Sequence, residues 1–91
     1  MSIKIISYDL GAPETSGDYK DLIKFIKGLG DTCKPLESLW LVNTNKKCEY
    51  IRNEAKQYMD SNDRIFVARW GVDDWAGLRL RNEAGKWLNN L

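Results

Sequence analysis

The sequence contains no histidine among its 91 residues. That absence excludes Ser-His-Asp and Cys-His nucleophiles, histidine zinc sites and histidine acid–base chemistry. Cysteine is scarce as well. Cys33 and Cys48 stand far apart in sequence with no second pair. They form neither a disulfide framework nor a zinc motif and fit a reducing cytoplasm, as two small buried thiols. Neither sign of charge dominates. Fourteen Lys and Arg against thirteen Asp and Glu leave a net +1, so no global basic excess argues for a nucleic-acid partner. No apolar run approaches the roughly 18 residues of a membrane span. Met1-Ser2-Ile3-Lys4 leads into a strand-like segment rather than a signal peptide. A cytoplasmic protein with no membrane partner is expected.

What is present is an ordinary globular mixture, 43% apolar and 30% charged. The length accommodates one domain, residues 1–91, with a core over about 3–70 and a C-terminal extension over 71–91. Ile3 to Tyr8 is a β-branched and aromatic run that reads as a strand, and Gly11 to Gly17 is a turn-rich loop. From Asp18 the period changes. Tyr19, Leu22, Ile23, Ile26 and Leu29 fall at helical spacing, with Ser16 or Asp18 as a cap and Gly28 and Gly30 to end the helix. Asp31 to Pro35 is a short strand, at an edge or a bend because proline cannot donate to a ladder. Leu39 to Asn43 is a stronger one. Thr44 or Asn45 caps a second helix over Lys46 to Met59, and Arg64 to Trp70 forms the last core strand. In the extension, Leu78 and Leu80 alternate with Arg79 and Arg81 as in a short strand, while Ala84, Trp87, Leu88 and Leu91 imply a final helix.

Strand, helix, two strands, helix, strand is the split βαβ order. It predicts an α+β domain, a ferredoxin-like βαββαβ antiparallel sheet with two helices on one face, followed by the tail. In such a sheet the face away from the helices normally alternates to polar residues. These strands do not alternate. Ile3 and Ile5 oppose Ile6 and Tyr8, Leu39 and Leu41 oppose Trp40 and Val42, and Phe66 and Trp70 oppose Ile65 and Val67. A bare apolar face of several hundred Å² is rare on a monomer. The tail, a second copy of the chain, or both must cover it, and a homodimer packed sheet to sheet is expected.

Tyr8-Asp9-Leu10 at the end of the first strand, the helix start at Asp18-Tyr19, and Leu36-Glu37-Ser38-Leu39-Trp40-Leu41-Val42 together resemble the CRISPR-associated Cas-two proteins and their stand-alone, SinR-like relatives. The resemblance covers roughly residues 3 to 70. It implies a ferredoxin-like homodimer whose strand-one aspartates approach each other, as a magnesium-dependent endonuclease on RNA or DNA in some members and as a DNA-gripping scaffold in others. The sequence departs from the family pattern between Gly11 and Asp18, where Glu14 and Asp18 stand in place of a basic cluster.

Asp9 is accordingly the candidate catalytic and metal-binding residue. Hard cations such as magnesium take one or two carboxylates and several waters, so one aspartate per chain, doubled across a two-fold axis, would suffice. Its alternative role is to end the strand and support the turn at Gly11. Ser7 shares the face of Asp9. Lys20 and Lys24 make a local basic stripe on the first helix, and Arg69 stands among the tryptophans. These three are the candidate nucleic-acid contacts, set against ordinary solvated and packing roles. Asp73-Asp74 reads as a turn and the four tryptophans as packing residues. Two further functions stand beside the nuclease: a non-catalytic dimeric scaffold binding nucleic acid or protein, and an endoribonuclease toxin of the VapD type.

Overall fold

A computed structural model describes residues 2–91. Its centre is β1, Ser2–Asp9, which pairs antiparallel with β3, Leu39–Thr44, on one side and with β4, Arg64–Trp70, on the other. β2, Asp31–Leu36, is the outer partner of β3, so the sheet runs β2-β3-β1-β4 with every neighbouring pair antiparallel. Pro35 lies on this edge strand at a register irregularity between Cys33 and Leu36, where its missing N–H disrupts no central ladder.

Two helices cover one face. α1, Lys20–Lys27, is entered through a 3-10 turn, Gly17–Tyr19, whose Asp18 N–H donates to Ser16 Oγ at 3.3 Å. Tyr19, Leu22 and Ile26 fall on one stripe and are buried; Lys20, Lys24 and Lys27 are exposed. α2, Cys48–Ala55, is shorter than its apolar spacing predicts. The Lys46 N–H donates to Thr44 Oγ1 at 3.2 Å, which holds the chain in a turn and delays the helix to Cys48. At its other end α2 tightens into a 3-10 turn, Lys56–Tyr58, and Met59 is already extended. Ile51 and Ala55 point inward. With Ile6, Tyr8, Trp40 and Val42 from the sheet, the α1 and α2 residues form the main core.

The second face carries its own core. Ile3 and Leu41 pack with Leu88 of α3, Ala84–Asn89, and Ile5, Leu39, Trp70, Val72 and Trp87 lie around them. The tail thus supplies a third layer, one of the two covers that a sheet apolar on both sides requires. Its path is tied to the β2 edge: the Arg81 N–H donates to the Pro35 carbonyl at 2.9 Å and the Asn82 amide to the Lys34 carbonyl at 2.8 Å. Leu78 and Leu80 form no strand. Val72, Arg79, Asn82 and Glu83 all adopt positive φ, between 53° and 61°, and such a backbone cannot run straight. For β-branched Val72 this conformation is costly, and burial of its side chain against the second core offsets it. Among the described residues, no helix is long and apolar enough to cross a membrane.

Candidate functional site

Asp9 is the last residue of β1 and is exposed. Its register partner on β4 is Arg64. Ser7, two residues back on the same face, lies between Leu39 of β3 and Phe66 of β4. On the β3 side of Ser7, Leu39 is packed into the second core, whereas on the β4 side Phe66 is 66% exposed. Asp9 opens onto a depression of about 300 Å³ lined also by Tyr8, Leu10, Glu14, Glu37 and Ser38.

A closed polar loop stands behind it. The Trp40 indole N–H donates to the Tyr8 hydroxyl at 2.9 Å, and that hydroxyl donates to Glu14 Oε2 at 2.7 Å. Glu14 Oε1 accepts from the Lys34 ammonium, which also lies 5.4 Å from the centre of the Trp40 ring. Burial, reinforced by the Glu14 carboxylate, pushes the Tyr8 phenol far above its ordinary range, so it remains a donor at every physiological pH. Both oxygens of Glu14 are engaged within this loop. Glu14 is therefore a structural carboxylate, and Asp9 and Glu37 are the acidic groups of the depression without a hydrogen-bond partner among the described residues.

A second hub fixes the loop that follows Asp9. Asp63 Oδ1 accepts from the Gly11 N–H at 2.7 Å and the Tyr19 hydroxyl at 2.9 Å, and Oδ2 accepts from the Asp60 N–H at 2.7 Å. Partial burial raises the pKa of this carboxyl, but the three donors outweigh it and hold Asp63 below the usual carboxylate range. The hub joins the turn before β4 to the loop after β1, and so sets the exit of the chain from Asp9.

The remaining predicted contacts do not converge here. Arg69 is exposed and stands opposite Lys4, five residues along β1 from Asp9, or about 17 Å at a strand's rise. Lys20 and Lys24 are on α1, on the other side of the sheet. Lys4 itself escaped the sequence reading. It is 5% exposed and its ammonium donates to Ser2 Oγ at 2.7 Å and the Thr44 carbonyl at 3.3 Å, which satisfies a buried charge at the strand end. Among the tryptophans read as packing residues, Trp40 packs under the helices, Trp70 packs under the tail and Trp87 packs from the tail onto the sheet, whereas Trp75 is 37% exposed.

Among the described residues no group of three or more His, Cys, Asp or Glu side chains is placed to hold a metal ion. The donor chemistry of Asp9 and Glu37 suits a hard cation, but one chain supplies few ligands, and a second copy would double them. No protein-family model matches this chain, and no solved structure is a significant match to it.

Proposed function

We propose that the chain acts as a homodimer of the Cas-two type, joined through the uncovered end of the second face. Asp9 from each copy then forms a magnesium site for phosphodiester hydrolysis of RNA or DNA. The strand order β2-β3-β1-β4, with α1 and α2 on one side, supports the ferredoxin-like reading on which this rests. The observation that carries it is the division of the second face. α3 covers Ile3 and Leu41, whereas Phe66, beside Ser7 and close to Asp9, stays in water. An apolar ring left bare next to an unpartnered carboxylate is what a two-fold contact centred near Ser7 would bury. Such a contact brings the two Asp9 residues toward each other. Asp9, with Glu37 beside it, would hold the ion, which when bound would polarise a phosphoryl oxygen and a water. The test is cleavage of an RNA and DNA panel with magnesium against EDTA, by wild type and Asp9→Asn. Loss of cleavage with the dimer intact is the expected result.

A second reading is favoured by the small donor set: the same dimer serves as a non-catalytic scaffold for nucleic acid or protein. A wild type that cleaves nothing across the panel, in either metal condition, selects it.

A further inference from the structure

The surface between the two helices, on the opposite side of the sheet from Asp9, has a composition that the proposed function does not use. A groove of about 620 Å³ runs between α1 and α2. Its apolar lining is mainly aromatic: Phe25 and Tyr58, with ring centres 5.9 Å apart, and Tyr50, which is 42% exposed. Its charged lining is Lys24, Lys46 and one carboxylate, Asp21. The Lys46 ammonium lies 5.0 Å from the centre of the Tyr50 ring. None of these lysines forms an ion pair among the described residues, where the salt bridge present is Lys34–Glu14. The groove shares Leu29 and Lys46 with a second depression of about 600 Å³, lined also by Asn43, Thr44 and Asn45 and by one further carboxylate, Asp31. Lys20, Lys24 and Lys27 recur along the eight residues of α1, about 10 Å from first to last, and are all exposed.

We infer that this channel binds a single-stranded nucleic acid, with unpaired bases stacked on the Tyr50 and Phe25 rings and the backbone held by Lys24 and Lys46. Three observations select that occupant. Aromatic rings bordered by free cations match a polymer that is flat and apolar in its bases and anionic in its backbone. The two joined depressions and the length of the lysine row exceed what one nucleotide needs. A duplex hides its base faces within the stack and could use only the lysines. The inference is independent of catalysis at Asp9, because it concerns another face and needs no metal.

Binding is measured by fluorescence anisotropy in EDTA, so that cleavage at Asp9 has no bearing on the outcome. The probes are a labelled twelve-nucleotide oligo-uridine, the matching oligo-thymidine, a duplex of the same length and uridine monophosphate. Wild type is expected to bind a single strand at least tenfold more tightly than the duplex, with affinity that falls as salt rises. Tyr50→Ala removes a stacking surface and should weaken binding by roughly 5- to 150-fold. Lys46→Glu should weaken it further and flatten the salt dependence. Tyr50 and Lys46 are exposed, so thermal melting of both variants should stay near wild type. Equal affinity for the duplex, monophosphate binding as tight as the oligomer, an unchanged Tyr50→Ala, polyglutamate that competes as well as the oligomer, or no binding by any probe would each overturn the inference.

Discussion

Replacing Phe66 with aspartate separates the two roles a surface residue can have, in the fold and in an interface. Phe66 sits on β4 opposite Ser7, with 66% of its surface in water. A phenylalanine side chain buries about 200 Å² when fully enclosed, so roughly 130 Å² remains to be covered. At about 25 cal/mol per Å² that is about 3 kcal/mol per chain, and twice this in a two-fold contact. Part is lost to the cost of association, so about 6 kcal/mol is an upper bound on what the pair of rings contributes. Even half of it shifts the dimer dissociation constant by about two decades. The carboxylate adds its own desolvation penalty and places two like charges near the axis. Wild type is therefore expected to sediment as a dimer at 10 μM and Phe66→Asp as a monomer up to at least several hundred μM. The fold of the single chain should hardly notice, because an exposed substitution typically changes stability by no more than about 0.5 kcal/mol. A wild type that is monomeric at 100 μM, or a Phe66→Asp variant that remains dimeric, refutes the reasoning.

Leu88→Ala tests whether the tail is a true third layer. Leu88 is 7% exposed against Ile3 and Leu41, so the loss should be about 2–3 kcal/mol, the low end for a core leucine, and lower the melting temperature by roughly 8–24 °C. A shift within 2 °C by circular dichroism would mean the tail is not packed there. Asp63 gives a pH signature. Its folded pKa is depressed, so its contribution is complete above the ordinary carboxylate range and disappears as pH falls through the lowered value. The stability gap between wild type and Asp63→Asn, from urea melts, should be widest near pH 7 and close below about pH 4. A gap that is constant with pH contradicts the three-donor hub.

The strands and α1 were legible because their signals are local. Tyr19, Leu22 and Ile26 repeat at helical spacing, and the apolar pairs on both faces of β1 and β3 announced a sheet that needed two covers. The limits of α2 were less legible, since its start depends on one hydroxyl, Thr44 Oγ1, which could equally have capped the helix directly. Between Leu78 and Arg81 the tail departs from its sequence pattern for a different reason. Alternation there promises a strand, but Arg79 adopts positive φ within the segment, and its end is tied by Arg81 and Asn82 to Pro35 and Lys34 of β2, more than forty residues away. At the candidate site, the place of Asp9 at a strand end could be read from Tyr8-Asp9-Leu10. The engagement of Glu14 could not, because its partners Lys34 and Tyr8 meet it only after the loop folds back over the sheet.

That same tail divides the second face of the sheet. A βαββαβ domain without it would present the whole second face, and a partner could dock in many registers. α3 removes the Ile3 and Leu41 end from contention and leaves a strip bounded by Phe66, Ser7 and Asp9. A small bare strip close to a sheet edge would restrict the proposed two-fold contact to few orientations. The helix layer is separated from that contact by the sheet, so the aromatic groove of each copy stays open when the second faces join. The proposed dimer contact and the proposed strand-binding groove lie on opposite layers, so substitutions in one should leave the other unchanged, as additivity requires of distant sites with no shared partner.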